Sequence, residues 1–162
     1  MKNSSAPAER SGKAEPLVYD ANLEAYAMQR AAEIAIGFTH ERPDGTKWTT
    51  AFNESYTRTA ENIAAGTKTA ATTFDKWAEA ANKYENQGHR RNMLGGYQAF
   101  AVGHVVYNGR HYWVQEFSTR TQNTSANAAL DSSKDVTLTV SDAITPNAGV
   151  VPAGTKPTQA PS

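Results

Sequence analysis

The dipeptide Asn108-Gly109 constrains this chain more than any other pair of neighbours. It separates two runs, Ala99 to Tyr107 and His111 to Phe117, that are rich in Val, Tyr, Trp and Phe. A two-residue turn between twisted antiparallel strands needs positive φ at both central positions, which Asn and Gly tolerate best. A terminal β-hairpin is therefore expected. Upstream, Asp20 can cap a helix whose apolar side runs through Leu23, Tyr26, Ala27, Ala31, Ile34 and Phe38, with Gly37 as terminator. Arg42-Pro43-Asp44-Gly45 reads as a turn.

Between these landmarks the pattern predicts a short strand over Trp48 to Phe52 and a short helix over residues 59–66, ended by Gly66. It predicts a further helix capped by Thr73, carrying Phe74, Trp77, Ala81 and Tyr84, and one more helical turn from Arg90 to Leu94 before Gly95-Gly96. Helices in front, helices in the middle and a hairpin at the end argue for an α+β fold, with a small antiparallel sheet packed between helices. Trp77, Tyr112, Trp113 and Phe117 are expected in the core. Trp48, beside the turn, is a candidate for the edge of a cleft.

The flanks differ in composition. Residues 1–15 are polar and carry no apolar run of the kind a signal peptide needs, so they read as a flexible segment. Residues 121–162 are rich in Pro, Thr, Ala, Gly and Ser and read as a tail or linker. Within that tail Val136, Leu138 and Val140 alternate with Thr137 and Thr139, a short strand signature over 136–140. The folded unit is placed at 16–120.

Several function classes are disfavoured at once. The formal charge is +0, from 16 basic and 16 acidic residues, so no basic excess points to nucleic acid. No run approaches the roughly 18 apolar residues that span a bilayer. There is no cysteine, which excludes disulfides, zinc–thiolate sites and thiol catalysis. There is also no His-Glu-x-x-His helix and no nucleophile motif.

The chemistry lies in four separated phrases: Phe38-Thr39-His40 with its turn, Glu61-Asn62-Ile63-Ala64, Gly88-His89-Arg90-Arg91-Asn92-Met93-Leu94, and Tyr112-Trp113-Val114-Gln115. Together with Arg30-Ala31-Ala32-Glu33 and Val102-Gly103, in this order and spacing, they resemble the CAP superfamily. That group comprises cysteine-rich secretory proteins, antigen five and pathogenesis-related proteins, here in the bacterial SCP-like form. The resemblance implies an α–β–α sandwich with a large cleft, and an extracellular or cell-surface location. It implies that the cleft is lined by two histidines and two glutamates.

His40 is similar to the first histidine, Glu61 to the first glutamate and His89 to the second histidine. For the second glutamate, Glu85 lies four residues before His89 and is taken as the candidate, with Glu79 as competitor. The family often has this glutamate three residues after a tryptophan, where Ala80 stands here. Ala60 departs from the family's usual glycine before the Glu-Asn pair, and the disulfides of animal and plant members are absent.

Two neutral imidazoles suit Zn²⁺ or another divalent cation, so His40 and His89 are the candidate metal ligands. A carboxylate could bind the ion, orient a ring N–H or position water. No organic cofactor is expected. Each residue also has a plainer reading: Glu61 as a helix N-terminal carboxylate, Glu85 as a solvated charge, Arg90 and Arg91 as partners of carboxylates or carbonyls, and His104 and His111 as surface residues flanking the hairpin. The expected function is a secreted, monomeric binding module for a lipid, sterol, peptide or protein ligand beside a cation. The alternative is a metal-assisted or acid–base hydrolase in which His40, Glu61 and His89 activate water.

Overall fold

The sequence folds around one long helix. Asp20 accepts hydrogen bonds from the N–H groups of Asn22 and Leu23 and so starts α1 (Ala21–Ile36), and Gly37 closes it by donating to the Glu33 carbonyl. The computed structural model describes residues 15–53 and 55–124. The short strand expected at 136–140 and the polar segment before residue 15 lie outside those residues.

A four-stranded sheet packs on α1. Its strands are β1 (Val18–Tyr19), β2 (Ala60–Ala65), β3 (Ala99–Tyr107) and β4 (Arg110–Ser118), in the spatial order β1-β3-β4-β2. The β3–β4 hairpin turns at Asn108 and Gly109 with φ of 48° and 75°, as the Asn-Gly pair predicted. β2 and β4 pair antiparallel, with Ile63 opposite Val114 and Glu61 opposite Glu116. The sheet is mixed, because β1 pairs with β3 in parallel.

Two differences from the sequence reading matter for the site. Residues 60–65 form an edge strand and no helix. Ala and Glu favour a helix, but six cross-strand pairs with β4 and burial on both faces override that preference. The plain reading of Glu61 as a helix N-terminal charge falls with it. Residues 48–51 form a 3₁₀ turn where a strand was expected.

The second helix, α2 (Ala70–Ala78), starts earlier than expected. Thr69 is its cap, accepting from the Thr72 N–H, while Thr73 is buried within it. It ends at Glu79, which takes left-handed φ at 46°, so Ala81 and Tyr84 lie beyond it. A 3₁₀ turn (Tyr84–Asn86) leads into the short α3 (Gly88–Met93).

The layers follow from alternation along the strands. One sheet face meets α1 through Met28, Ala31, Ile34 and Ala35 against Ile63, Val105, Tyr112 and Val114. The other face meets α2 through Trp77 against Ala64 and Trp113, with Met93 of α3 alongside. This is an α–β–α arrangement. Phe38 and Phe74, read as apolar-face residues, are exposed instead. At the far end of α1, Asp20 also accepts from the Tyr56 hydroxyl at 2.9 Å and from the Gln122 and Asn123 N–H groups. Ordered contacts therefore continue past residue 120 to Asn123.

Candidate functional site

Strand β2 sorts its side chains to two sides. Glu61 points toward α1 and Asn62 toward α3, and the site is built on both.

On the α1 side the fixed point is Arg30, which is 0% exposed. Its Nε donates to Glu61 Oε2 at 2.8 Å and its Nη2 to Glu61 Oε1 at 3.0 Å. Its Nη1 donates to Glu33 Oε2 at 2.6 Å. The other Glu33 oxygen accepts from Nε and Nη2 of Arg42 at 2.9 and 2.8 Å. Nη2 of Arg30 also donates to the Thr39 carbonyl at 3.0 Å, which anchors the chain next to His40. Such forked guanidinium–carboxylate pairs are directional and hold their partners in one orientation.

His40 Nδ1 lies 2.9 Å from Glu61 Oε1. Both Glu61 oxygens accept from Arg30, so the carboxylate has no proton to give, and Nδ1–H of His40 is the donor. In the neutral ring this places the lone pair on the other nitrogen, Nε2. Burial pushes the Glu61 carboxyl up, but Glu116, His40 and the Arg30 charge outweigh burial and hold it at about 2.

On the α3 side the left-handed turn at Glu79 folds its carboxylate back onto His89. Glu79 Oε1 accepts from the His89 N–H at 2.9 Å and pairs with His89 Nδ1. Asn62 ties this side to the sheet: its Nδ2 donates to the His89 carbonyl and to Gln115 Oε1, both at 3.1 Å, and its Oδ1 accepts from Asn92 Nδ2 at 2.8 Å.

Between the two sides lies an open hollow of about 430 Å³, with His40, Glu61, Asn62, His89 and Asn92 in its lining. The structure thus brings His40, Glu61 and His89 to one place. Glu79 rather than Glu85 stands on His89. Glu85 is exposed, and its backbone carbonyl accepts from Arg91. Arg91 lines the hollow, while Arg90 donates to the Ala78 carbonyl at 2.9 Å. The side chains of His40 and His89 are 54% and 42% exposed. Each ring has Nδ1 tied to a carboxylate and Nε2 left as the available ligand atom, a pattern that suits a metal-binding histidine. Among the described residues, no group of three or more His, Asp or Glu side chains is assembled to hold a metal ion. An ion held here would find two imidazoles and would need water to complete its coordination sphere.

Sequence reasoning missed Glu116. It sits opposite Glu61, fully buried, and neither of its oxygens makes a well-formed hydrogen bond. The charges around it already balance, Arg30 and Arg42 against Glu33 and Glu61. Burial, and then the Glu61 charge, push the Glu116 carboxyl well above its ordinary 4.5, which favours the protonated acid. A Glu between Gln115 and Phe117, in a strand that also carries Tyr112, Trp113 and Val114, was the available signal.

The sign of its effect is testable. A carboxyl with a raised folded pKa adds stability that is complete below the unfolded value and fades as pH rises toward the folded one. Glu116→Gln mimics the protonated acid. Between the ordinary 4.5 and the folded pKa, wild type should lose up to about 1.4 kcal/mol per pH unit from this group while the variant does not. Urea midpoints at pH 4, 5.5 and 7 should show the variant equal at pH 4 and increasingly ahead above it. No advantage at pH 7 would mean that Glu116 is ionised in the fold.

A second, apolar hollow of about 570 Å³ lies toward α2 and α3, lined by Leu17, Phe74, Met93, Leu94 and Phe100. Among the described residues no helix is long and apolar enough to cross a membrane.

The fold and the four phrases meet in one family. Residues 10–117 match the CAP, or cysteine-rich secretory protein, family, and the chain belongs to that family. It is a member without a cysteine. Its structure is similar to that of an outer surface protein from Borrelia burgdorferi, with a TM-score of 0.53 and 18% identity over 72% of this chain and 86% of that one. That likeness speaks for the fold. Comparison with curated proteins gives no match.

Proposed function

We propose that this chain is an extracellular or cell-surface binding module whose hollow holds a divalent cation of the zinc class on Nε2 of His40 and Nε2 of His89. One observation carries the reading: two histidines approach the same hollow from opposite sides, each with Nδ1 tied to a carboxylate, Glu61 or Glu79. A carboxylate on Nδ1 fixes the tautomer and makes Nε2 a better donor. The location is supported by the family and by the surface-protein neighbour. A lipid, sterol or peptide is the class of ligand that the apolar hollow beside Phe74 supports. The alternative is a hydrolase that would use the same cation to supply a bound hydroxide as its nucleophile, with His40, Glu61 and His89 around it.

The test is a Zn²⁺ titration of metal-stripped protein by calorimetry and thermal melting. Stoichiometric binding is expected, with roughly 2.7 kcal/mol of added stability at a hundredfold excess over Kd. His40→Ala/His89→Ala should abolish both. Glu79→Gln should weaken binding about 10–100-fold, and Glu85→Gln should leave it unchanged. A protein that melts identically with and without Zn²⁺ would end the cation reading and leave the histidines as carboxylate-paired structural groups.

A further inference from the structure

His104 and His111 lie outside the site described above. They are diagonal neighbours across the β3–β4 hairpin: His104 stands opposite Trp113 and His111 opposite Val106. Diagonal side chains on one sheet face are within reach of each other. Here the rings meet, with Nε2 of His104 2.8 Å from Nδ1 of His111. The His104 ring stacks on Trp113, with centroids 3.7 Å apart and planes 10° from parallel. Trp113 is itself fixed, because its indole N–H donates to the Thr67 carbonyl at 2.7 Å. One imidazole is therefore held in place by a clamped indole, and a second reaches it from the hairpin end.

We propose that His104 and His111 form a second metal site, a two-imidazole chelate for a late first-row divalent ion, with copper(II) favoured. Two nitrogens bound side by side to one such ion at about 2.0–2.1 Å lie roughly 2.9–3.4 Å apart. The observed spacing is near that range, but the two nitrogens now face each other across a hydrogen bond, so the outer His111 ring must swing off that line before both lone pairs meet at one point. The bridging proton moves to the other nitrogen of its own ring, which is a change of tautomer with no net proton lost. Imidazole nitrogens suit copper, nickel and zinc over magnesium or calcium, and copper(II) heads the affinity order for a given set of donors. Water completes the sphere, which makes the site open and exchangeable.

The test uses untagged, full-length protein carrying His40→Ala/His89→Ala, so that the hollow contributes no ligand. Cu²⁺ is added while tryptophan fluorescence and electron paramagnetic resonance are followed. One equivalent should quench fluorescence, because Trp113 is stacked on a ligand, and the resonance spectrum should show two nitrogens on the copper. His104→Ala and His111→Gln should each weaken this binding at least tenfold. His111→Gln is a partly exposed change that leaves the Trp113 stack in place, so it decides the matter even where His104→Ala harms folding. Copper binding of unchanged affinity in His111→Gln, or the absence of any one-equivalent binding in the starting variant, would overturn the assignment.

Discussion

Arg30→Met should cost the domain about 3–5 kcal/mol, because removing one partner of a buried ionic cluster leaves the others charged and uncompensated. Arg30 is fully buried and donates twice to Glu61, once to Glu33 and once to the Thr39 carbonyl, with Glu116 close behind Glu61. Total stabilities of such domains are about 5–15 kcal/mol, so a large share is at stake. For a unit of this size the loss corresponds to a fall in melting temperature of roughly 15–30 °C. Arg30→Lys should rescue little, since one ammonium cannot span two carboxylates and a carbonyl with a rigid fork. Adding Glu61→Gln to Arg30→Met should recover part of the loss by removing the stranded charge. Urea unfolding of the four proteins checks this, and a loss below about 1 kcal/mol in Arg30→Met would show that the cluster is solvated.

Gly103→Ala should be comparably damaging, for a different reason. A Cβ at this position would lie 2.2 Å from the Ala27 carbonyl oxygen, 2.3 Å from its carbon and 2.7 Å from the Met28 nitrogen. These are backbone atoms of α1, which cannot rotate away as a side chain can. Overpacking ordinarily costs about 1–3 kcal/mol, and here the helix must lift off the sheet as a body, so the loss should reach or exceed the top of that range. Gly88→Ala is the matched control. Nothing lies within 4 Å of a Cβ there, and stability should stay within about 0.5 kcal/mol. Equal melting temperatures for the two variants would mean that α1 sits farther from β3 than the structure has it.

The parts of the fold that were legible carried a local chemical signal. Asn108-Gly109 dictates its own turn, and Asp20 with the spacing of Leu23, Ala27, Ala31 and Ile34 dictates a capped amphipathic helix. Strand β2 carried no such signal. Glu61 and Ile63 are buried toward α1 while Asn62 and Ala64 are buried toward α3 and α2, so polar and apolar residues do not alternate by exposure. Only pairing with β4, far later in the chain, makes that segment extended. His40, Glu61 and His89 were readable from the family phrases. The choice between Glu79 and Glu85 was not, because it depends on a left-handed turn at a glutamate, a conformation that non-glycine residues rarely announce. Glu116 was hidden for a related reason: its raised pKa follows from burial and from the charge of Glu61, a residue far away in the chain.

The Asp20 carboxylate has a consequence for how this unit can open. It holds the beginning of α1 and the backbone of Gln122 and Asn123 together, and Ala21 N–H donates to the Asn123 carbonyl at 2.8 Å. His40 follows the opposite end of α1, which at 16 residues is about 24 Å long. The start of α1 and the last described stretch of the chain are thus laced together at the end of the helix away from His40, so neither can loosen without the other.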